Sequence, residues 1–355
     1  MKTVVVLFGG VSSEHDVSTV SAMSVIENIS KDKYNVLPVG ITKDGRWFKY
    51  SGDISRLPED KWLEDEENCV PAIISPDRKD HGIIVFENGR SEKIYVDVVF
   101  PVLHGANGED GTIQGFMQIA GIPCVGCDCV SSGICMDKAL TNIMADAADI
   151  CQAKWDHVLK HRFEKNPDEF IKKASEKLGY PIFVKPANAG SSVGISKAYD
   201  EEGLKEAINK AFNFDNKVVL EEAVDGQEIE CAVLGNDDVF VSIPGEIVPC
   251  NDFYDYDAKY ISTESELKIP AGLSEEKMQE VRNAALEVYK FLGCSGFARI
   301  DFFVRRSDGC VMLNEPNTIP GFTSISMYPK MMEHSGVPYS QLLDRLISLA
   351  EEKWS

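Results

Sequence analysis

The feature that most constrains this chain is a pair of β-rich segments near its C-terminal end, separated by a short polar turn. The two segments span residues 297–304 and 310–315. The Asp-Gly pair at 308–309 lies between them, so the pattern predicts an antiparallel hairpin. A turn centred on Asp308 sets Asp301 opposite Glu315 and directs Asn317 to the same face. Facing carboxylates repel each other unless a cation lies between them.

The side chains that this hairpin brings together are oxygen donors only. Mg²⁺ prefers such donors and usually takes one or two carboxylates, leaving its other positions to water and nucleotide phosphates. The hairpin therefore predicts a magnesium site made of Asp301, Glu315 and Asn317. The alternative is a solvated hairpin whose charges never meet, and these three residues alone leave both interpretations open.

Length and charge limit the class of protein. A chain of 355 residues exceeds one typical core, so we expect two or three domains. A net charge of -21 argues against a nucleic-acid partner, because phosphate backbones require clustered Lys and Arg. A few local lysines would still suffice for ATP. Neither a signal peptide nor an apolar run of about 18 residues is present, so we expect a cytoplasmic protein without a membrane partner.

The ten cysteines are expected to be reduced thiols rather than a disulfide framework. Four of them lie close together in sequence: Cys124, Cys127, Cys129 and Cys135. Their Cys-x-x-Cys spacing is compatible with zinc. However, the flanking residues 120–126 are small and apolar, and no second ligand pair follows. We therefore favour buried apolar thiols over a structural zinc site.

Hydrophobic periodicity predicts the order of the elements. Residues 3–8 and 35–41 are predicted as strands around a helix at 18–28, which makes a βαβ unit. Further strands are predicted at 96–103, 123–125, 180–185 and 218–222, and further helices at 112–120, 167–178, 274–292 and 341–352. Asn166 and Ser274 are predicted N-caps. Residues 249–265 are predicted to be a long surface loop.

Lys185 ends an apolar segment and is followed by a loop of small residues at 186–194. Such a loop can bring backbone N–H groups to phosphate oxygens while the lysine adds positive charge. The pattern is not a Walker sequence. Residues 9–13 also lack the dinucleotide-binding glycine pattern, which disfavours a Rossmann dehydrogenase. A lysine that extends to solvent beside a turn is the structural alternative.

Four motifs in collinear order give the chain a specific resemblance. They are Gly9-Gly-Val-Ser-Ser-Glu14-His-Asp-Val-Ser18, His104-Gly-Ala-Asn-Gly-Glu-Asp-Gly111, Gly190-Ser-Ser-Val-Gly194 and Asn314-Glu-Pro-Asn-Thr-Ile-Pro-Gly-Phe322. With Lys138, Lys185 and Glu228, they make the chain resemble the D-alanine–D-alanine ligases of the ATP-grasp superfamily. These are related to the ligases of vancomycin-resistant bacteria.

The resemblance implies an α/β protein, α+β in its nucleotide-binding part, with the ATP-grasp fold and an N-terminal parallel α/β domain that precedes it. We predict a substrate-binding domain at 1–127, a central ATP-grasp subdomain at 128–224 and a catalytic subdomain at 225–355. The implied activity is ATP-dependent ligation of two D-alanines through an acyl phosphate, for peptidoglycan synthesis, cell-wall biogenesis and cell shape. ATP and two Mg²⁺ ions, replaceable by Mn²⁺, are the implied cofactors, and the implied assembly is a homodimer.

The resemblance also implies roles for individual residues. The catalytic group comprises Glu14, Ser191, Tyr260, Arg299 and Gly321. The substrate-binding group comprises His104, Ser326 and Met327. The ATP-binding group comprises Lys138, Lys185, Glu221, Glu228 and Lys259, and the metal ligands are Asp301, Glu315 and Asn317. Closure of the loop that carries Lys259 and Tyr260 would keep water from the acyl phosphate.

Several alternatives stay open at this stage. Glu14 could be a helix-capping acid, and His104 could be a catalytic base or, as we favour, a polar residue bonded to Glu109. Ala189 and Pro316 depart from the usual family pattern, and Ala189 resembles the resistance ligases. A D-alanine–D-serine or D-lactate ligase is therefore the alternative activity, although the apolar Met327 favours D-alanine. Another ATP-grasp ligase and a non-enzymatic binding protein are disfavoured by the complete motif set.

Overall fold

The computed structural model describes residues 1–191, 193–248, 266–323 and 325–354. Three β-sheets follow one another along the chain, and helices pack against each of them. This arrangement is the α/β class that the sequence predicts. The domain boundaries at 127 and 224 remain predictions, and both fall between sheets.

The first sheet contains the predicted βαβ unit. Its strands are β1 (Lys2–Gly9), β2 (Tyr34–Ile41), β3 (Trp47–Tyr50), β4 (Cys69–Ile74), β5 (Gly82–Glu87), β6 (Arg90–Tyr95) and β7 (Val98–Pro101). They lie in the order β6-β5-β4-β3-β2-β1-β7, with β1 parallel to β2 and β7. The antiparallel extension from β3 to β6 was not predicted. Because β1 and β7 are parallel, the segments that follow them leave the sheet at the same edge.

The second sheet is antiparallel and has the order β10-β9-β11-β8. Its strands are β8 (Trp155–Leu159), β9 (Ile182–Pro186), β10 (Ser196–Ala198) and β11 (Lys217–Glu222). The helix predicted at 167–178 is confirmed as Pro167–Leu178. Asn166 occupies the predicted N-cap position, but its side chain accepts no N–H bond and its amide instead donates to Glu169.

The third sheet contains the antiparallel hairpin predicted around Asp308. Its strands are β12 (Gly226–Leu234), β13 (Phe240–Val241), β14 (Gly245–Val248), β15 (Glu266–Lys268), β16 (Phe297–Arg305) and β17 (Val311–Asn317). The order is β15-β14-β12-β16-β17, with β13 paired to β12. The predicted pairing of Asp301 with Glu315 is confirmed. A β-bulge between Asp301 and Phe302 shifts the register nearer the turn by one residue, which the turn-centred argument missed.

The α-helices in the described ranges are His15–Asn28, Thr112–Ala120, Cys129–Met136, Lys138–Ala147, Lys160–Phe163, Pro167–Leu178, Glu201–Ala211, Glu275–Phe291, Met327–His334 and Tyr339–Trp354. The Ser274 cap is confirmed, because its hydroxyl accepts from the Lys277 N–H. The predicted strand at 123–125 is reduced to one bridge from Cys124 to Val99. The loop predicted at 249–265 lies outside the described residues. No helix in the described ranges is long and apolar enough to cross a membrane.

The predicted cysteine cluster separates on folding. Cys124, Cys127 and Cys135 are buried, as expected for apolar thiols, whereas Cys129 is only half-buried. Burial raises the pKa of the Cys124 thiol to about 12, so this thiol stays protonated at neutral pH.

An aromatic cluster joins the first sheet to the third. Phe322 contacts Phe100 of β7 and Phe297 of β16, with ring centroids 6.1 and 5.5 Å apart. It also contacts Tyr328, with the centroids 5.6 Å apart. The contacts of Phe322 with Phe100 and Phe297 are edge-to-face, a geometry that stabilises packing beyond simple burial. Because Phe322 is fully buried, the segment after β17 is fixed between the two sheets.

Candidate active site

A cavity of about 330 Å³ lies where the first sheet, the loop after β9 and the third sheet meet. Most of the described residues to which the sequence assigned a role line this cavity. They are Glu14, His104, Lys138, Ser191, Arg299, Glu315, Asn317, Gly321, Ser326 and Met327. The folding of distant segments thus brings the four sequence motifs together around one space.

Glu14 occupies the N-cap position of the helix His15–Asn28, but its carboxylate makes no cap hydrogen bond. Oε1 instead accepts a short hydrogen bond from the Ser191 hydroxyl. Oε2 is buried and has no hydrogen-bond partner among the residues that the structure describes. A buried carboxylate oxygen without a partner is costly. The capping alternative is therefore wrong, and this oxygen is available to a donor that enters the cavity.

Two glycines allow the Glu14 carboxylate to lie in this position. A Cβ atom at Gly105 or at Gly190 would come within 2.4 Å of Glu14 Oε2. Gly105 also has a φ of +69°, which L side chains rarely adopt. These two positions explain why the loops after β7 and β9 must carry glycine beside Glu14.

His104 is buried and does not bond to Glu109, so the favoured interpretation was wrong. Its Nδ1 lies 3.0 Å from the Ile319 carbonyl oxygen, and its Nε2 lies 3.1 Å from the Ser21 hydroxyl. Burial lowers the pKa of His104. The neutral ring therefore donates from Nδ1 and accepts at Nε2, which positions the loop rather than supplying a base.

Glu109 is a residue of this site to which the sequence argument gave no direct role. It accepts the Gly105 N–H at 2.8 Å and the Ile319 N–H at 3.2 Å. Burial and the nearby charge of Glu14 raise its pKa to about 8. Ile319 thus holds both His104 and Glu109, which fastens the loop after β7 to the segment after β17.

Arg299 lies at the centre of a charged cluster on β16. Its Nε and one terminal nitrogen each donate to an Asp301 oxygen at 2.7 Å, and its Nε lies 3.1 Å from Glu230 Oε2. Burial lowers the pKa of Arg299, but the carboxylates of Asp301 and Glu230 outweigh burial and raise the pKa well above its usual value. The guanidinium is therefore a fixed positive charge in the cavity wall.

Three carboxylates stand side by side across the third sheet. Glu230 of β12 pairs with Asp301 of β16, which pairs with Glu315 of β17. Asn317 also faces Asp301, to which its amide donates at 2.9 Å. Glu230 was not among the predicted site residues. The signal was its spacing of two residues from Glu228 on one strand, which directs both side chains to the same face.

Lys138 connects the glycine loop, residues 186–194, to the acidic row formed by Glu230, Asp301 and Glu315. Its Nζ donates to the Ala189 carbonyl at 2.9 Å and lies 3.7 Å from Glu315 Oε2. The lysine begins a helix that Asp137 caps by accepting the N–H groups of Ala139 and Leu140. A phosphate between the loop and the acids would therefore meet a lysine already in position.

The other predicted ATP-binding residues are divided between the second and third sheets. Lys185 of β9 and Glu221 of β11 form an ion pair of 2.6 Å with little solvent exposure. Asn142 also donates to Glu221 at 3.3 Å. These two residues, Glu228 on β12 and the metal-ligand candidate Asp301 are not among the described residues that line the cavity. Lys259 and Tyr260 lie outside the described residues.

The far wall of the cavity is the segment from Gly321 to the helix Met327–His334. The Ser326 hydroxyl accepts the Thr323 N–H at 3.1 Å and lies 2.8 Å from the Thr323 hydroxyl. A Cβ at Gly321 would come within 2.7 Å of Ser326 Oγ. Met327 is buried and presents an apolar surface to the cavity.

Comparison with known proteins gives consistent matches along the chain. Residues 3–127 match the model of the D-ala D-ala ligase N-terminus, and residues 144–348 match that of the C-terminus. A protein of Caldicellulosiruptor bescii named D-alanine--D-alanine ligase is 53% identical over 99% of this chain and 95% of its own.

Solved structures also resemble this fold. The VanG D-Ala:D-Ser ligase from Enterococcus faecalis superposes with a TM-score of 0.89 at 43% identity, covering 98% of this chain and 99% of the other. The D-alanine--D-alanine ligase from Bacillus anthracis, solved as a complex with ATP, gives a TM-score of 0.73 at 28% identity, covering 100% and 99%. The ATP-grasp fold implied by the four motifs is thereby confirmed.

Proposed function

Because the chain belongs to the D-alanine–D-alanine ligase family, we propose that it joins two D-alanines into D-alanyl-D-alanine for peptidoglycan synthesis. ATP transfers its terminal phosphoryl group to the carboxylate of the first D-alanine, giving an acyl phosphate and ADP. The amine of the second D-alanine then attacks the acyl carbon and expels phosphate, forming the peptide bond. The full-length match to relatives of this name supports the assignment.

The observation that carries this proposal is the unpartnered oxygen of Glu14. An amino-acid substrate brings an ammonium group, which is a charged donor suited to a buried carboxylate oxygen. Ser191 already holds the other carboxylate oxygen. Glu14 and Ser191 would therefore bind the first D-alanine by its ammonium and direct its carboxylate into the cavity, with Tyr260 completing this network as the family resemblance implies.

The acidic row fits the magnesium that the family implies. Asp301 and Glu315 are paired across β16 and β17, and the Asn317 side chain reaches Asp301. The donors are two carboxylates and the amide oxygen of Asn317, which are the oxygen ligands that Mg²⁺ prefers. Asp301, Glu315 and Asn317 would hold two Mg²⁺ ions, or Mn²⁺ in their place. When bound, these ions neutralise charge on the ATP phosphates.

The protein's own cations would act on the same phosphates. Lys138 lies between the glycine loop and Glu315, and Lys185 ends the strand that leads into that loop. Lys259 would join them from the loop that contains it. Glu221 and Glu228 would bind the adenine and ribose ends of ATP. The relative solved as a complex with ATP supports ATP as the nucleotide substrate.

Attack by the second amine creates negative charge on the acyl oxygen. The Arg299 side chain is 15% exposed and already fixed by two carboxylates, so it would stabilise this charge with little reorganisation. The Gly321 N–H would be the second donor. Ser326 occupies the N-cap position of the helix Met327–His334 without a side-chain cap hydrogen bond, and it would bind the carboxylate of the second substrate where the helix dipole favours an anion. His104 would help shape this substrate pocket.

We propose D-alanine as the second substrate. Met327 offers a methyl group an apolar surface and gives the hydroxyl of D-serine no hydrogen bond. The structural similarity to a D-Ala:D-Ser ligase makes D-serine the alternative. One hydroxyl in an apolar pocket changes affinity by only about 1–3 kcal/mol, so the two acceptors should be compared directly.

Two further assignments belong to this proposal. The reaction consumes ATP to make a cell-wall precursor, which is a cytoplasmic process. The family resemblance implies a homodimer formed through residues 1–127. Sedimentation of the purified chain at several concentrations would test the dimer, and a single species with the mass of one chain, 39.3 kDa, would overturn it.

Isotope transfer tests the proposed intermediate. D-alanine labelled with ¹⁸O in its carboxylate would be incubated with the protein, ATP and Mg²⁺, and the released phosphate would be analysed by mass spectrometry. An acyl phosphate requires one ¹⁸O atom in each phosphate formed. Dipeptide formation with unlabelled phosphate would overturn the acyl-phosphate route.

A further inference from the structure

Two cysteines outside the proposed active site lie next to each other. The Sγ atoms of Cys151 and Cys310 are 2.7 Å apart, although 159 positions separate them in sequence. Cys151 is exposed and lies between the helix Lys138–Ala147 and β8, while Cys310 is half-buried and directly precedes β17. Both thiols are free. The proposed ligation uses neither of them.

The backbone around the two thiols is held in register. The Leu313 N–H donates to the Cys151 carbonyl at 2.8 Å, and Gln152 forms a parallel bridge with Leu313. These contacts hold the chain that enters β8 against β17. A disulfide bond is about 2.05 Å long, so the two sulfur atoms need to approach by well under 1 Å.

We propose that Cys151 and Cys310 form an oxidisable dithiol that a peroxide converts into a disulfide. One thiol reacts with hydrogen peroxide to give a sulfenic acid and one water. The second thiol then attacks that sulfur, forming the S–S bond and releasing a second water. The two thiols lose two hydrogens in all, and the peroxide is reduced to water.

Solvent access distinguishes this pair from the other close thiols. Cys135 and Cys294 also lie near each other, with their sulfur atoms 3.8 Å apart, but both are buried in the core. A peroxide can reach the exposed Cys151 without unfolding of the protein. Burial and the neighbouring Cys310 thiol raise the pKa of Cys151 to about 11. Most molecules carry the neutral thiol at neutral pH, so oxidation is expected to be slow.

The cross-link would add a covalent bond between two segments that a backbone hydrogen bond already joins. It would connect the chain entering the second sheet to the hairpin of β16 and β17. A disulfide that closes a loop of this length restricts the unfolded chain. We expect the oxidised protein to melt on the order of 5 °C above the reduced protein.

Peptide mapping tests the proposal directly. The reduced full-length protein would be treated with hydrogen peroxide, its remaining thiols alkylated under denaturing conditions, and its peptides analysed by mass spectrometry. The expected product is one peptide pair joined through Cys151 and Cys310, two hydrogens lighter than the separate peptides and released by dithiothreitol. Cys135 and Cys294 should not be oxidised by the peroxide, so both should be recovered as alkylated thiols.

Matched variants make the result specific. Cys151→Ser and Cys310→Ser should each abolish the cross-link and the rise in melting temperature. Cys129→Ser is the control, because this half-buried thiol lies beside Gly111 and Gly115, away from the pair. Separate oxidation of the two sulfurs, or equal cross-linking of Cys151 to other cysteines, would overturn the proposal. Mapping of the unmodified chain decides the question even if a variant fails to fold.

Discussion

Arg299 and Asp301, two residues apart on β16, are joined by two parallel hydrogen bonds of 2.7 Å. Alternation along the strand directs both side chains into the same site. The pair therefore combines the charge proposed to stabilise the oxyanion with a carboxylate proposed to bind magnesium. Each holds the other in position, and Arg299 lines the cavity while Asp301 lies directly behind it on the same strand.

The substitution Asp301→Asn tests the metal assignment. It removes a charged ligand and one of the two partners of Arg299, so we expect ligation to fall at least ~100-fold and the Mg²⁺ concentration for half-maximal rate to rise. Removal of divalent cations by EDTA should abolish activity in the parent. Rates measured across a magnesium titration would show both effects.

Asp308→Asn is the matched control for this substitution. Asp308 makes the same two-bonded pair with Arg305, at 2.9 and 2.7 Å, but it lies exposed at the hairpin turn. Exposed pairs contribute little to stability, so this variant should keep parental activity. Equal losses in the two variants would show that hairpin stability, and not metal binding, causes the effect.

Glu14→Gln tests the ammonium site. Glutamine keeps the shape and the contact with Ser191 but removes the negative charge. A hydrogen bond to a charged group is worth about 1.5–3 kcal/mol, so we expect kcat/KM for D-alanine to fall roughly 10- to 100-fold while the KM for ATP changes less than about twofold. Steady-state kinetics with each substrate varied would separate the two.

Asp16→Asn serves as the control for Glu14→Gln. Asp16 lies two residues further along the chain, is 64% exposed and pairs with Lys43 at 2.8 Å. Its substitution should leave both kinetic constants near the parental values. If Glu14→Gln instead raised the KM for ATP alone, the assignment of Glu14 to the amino-acid substrate would be wrong.

The raised pKa of Glu109 predicts that the free energy of unfolding depends on pH. Its pKa is raised from 4.5 in the unfolded chain to about 8 in the folded protein. Between these values the folded state holds a proton that the unfolded state has released, so this residue's contribution to stability falls as pH rises from about 4.5 to 8. The loss is complete above the folded pKa.

The substitution Glu109→Gln should remove this pH dependence. Glutamine cannot accept both backbone N–H groups, so the variant loses one hydrogen bond at every pH. Its melting temperature relative to the parent should nevertheless increase steadily from pH 5 to pH 8. A difference between the two melting curves that stays constant over this range would contradict the raised pKa.

Local patterns predicted much of the fold. The alternation on either side of Asp308 predicted the pairing of Asp301 with Glu315, which the structure confirms. Apolar periodicity gave the helix Pro167–Leu178 at its observed bounds. Such features depend on neighbouring residues, so a single sequence contains them.

Features that depend on distant contacts were missed or wrongly assigned. The partners of His104 are Ser21 and the backbone of Ile319, and no local pattern indicates either contact. Glu230 meets Arg299 only because β12 pairs with β16. The site residues came mainly from the family motifs, since spacing alone cannot show which loops meet.

The product that the protein makes from ATP and D-amino acids distinguishes the proposed ligase from its alternatives. The purified chain would be incubated with ATP, Mg²⁺ and equimolar D-alanine and D-serine, and the dipeptides identified by mass spectrometry. We predict mainly D-alanyl-D-alanine, with one ADP formed for each dipeptide. Mainly D-alanyl-D-serine would contradict the acceptor assignment, and the absence of any ATP-dependent dipeptide would contradict the ligase function itself.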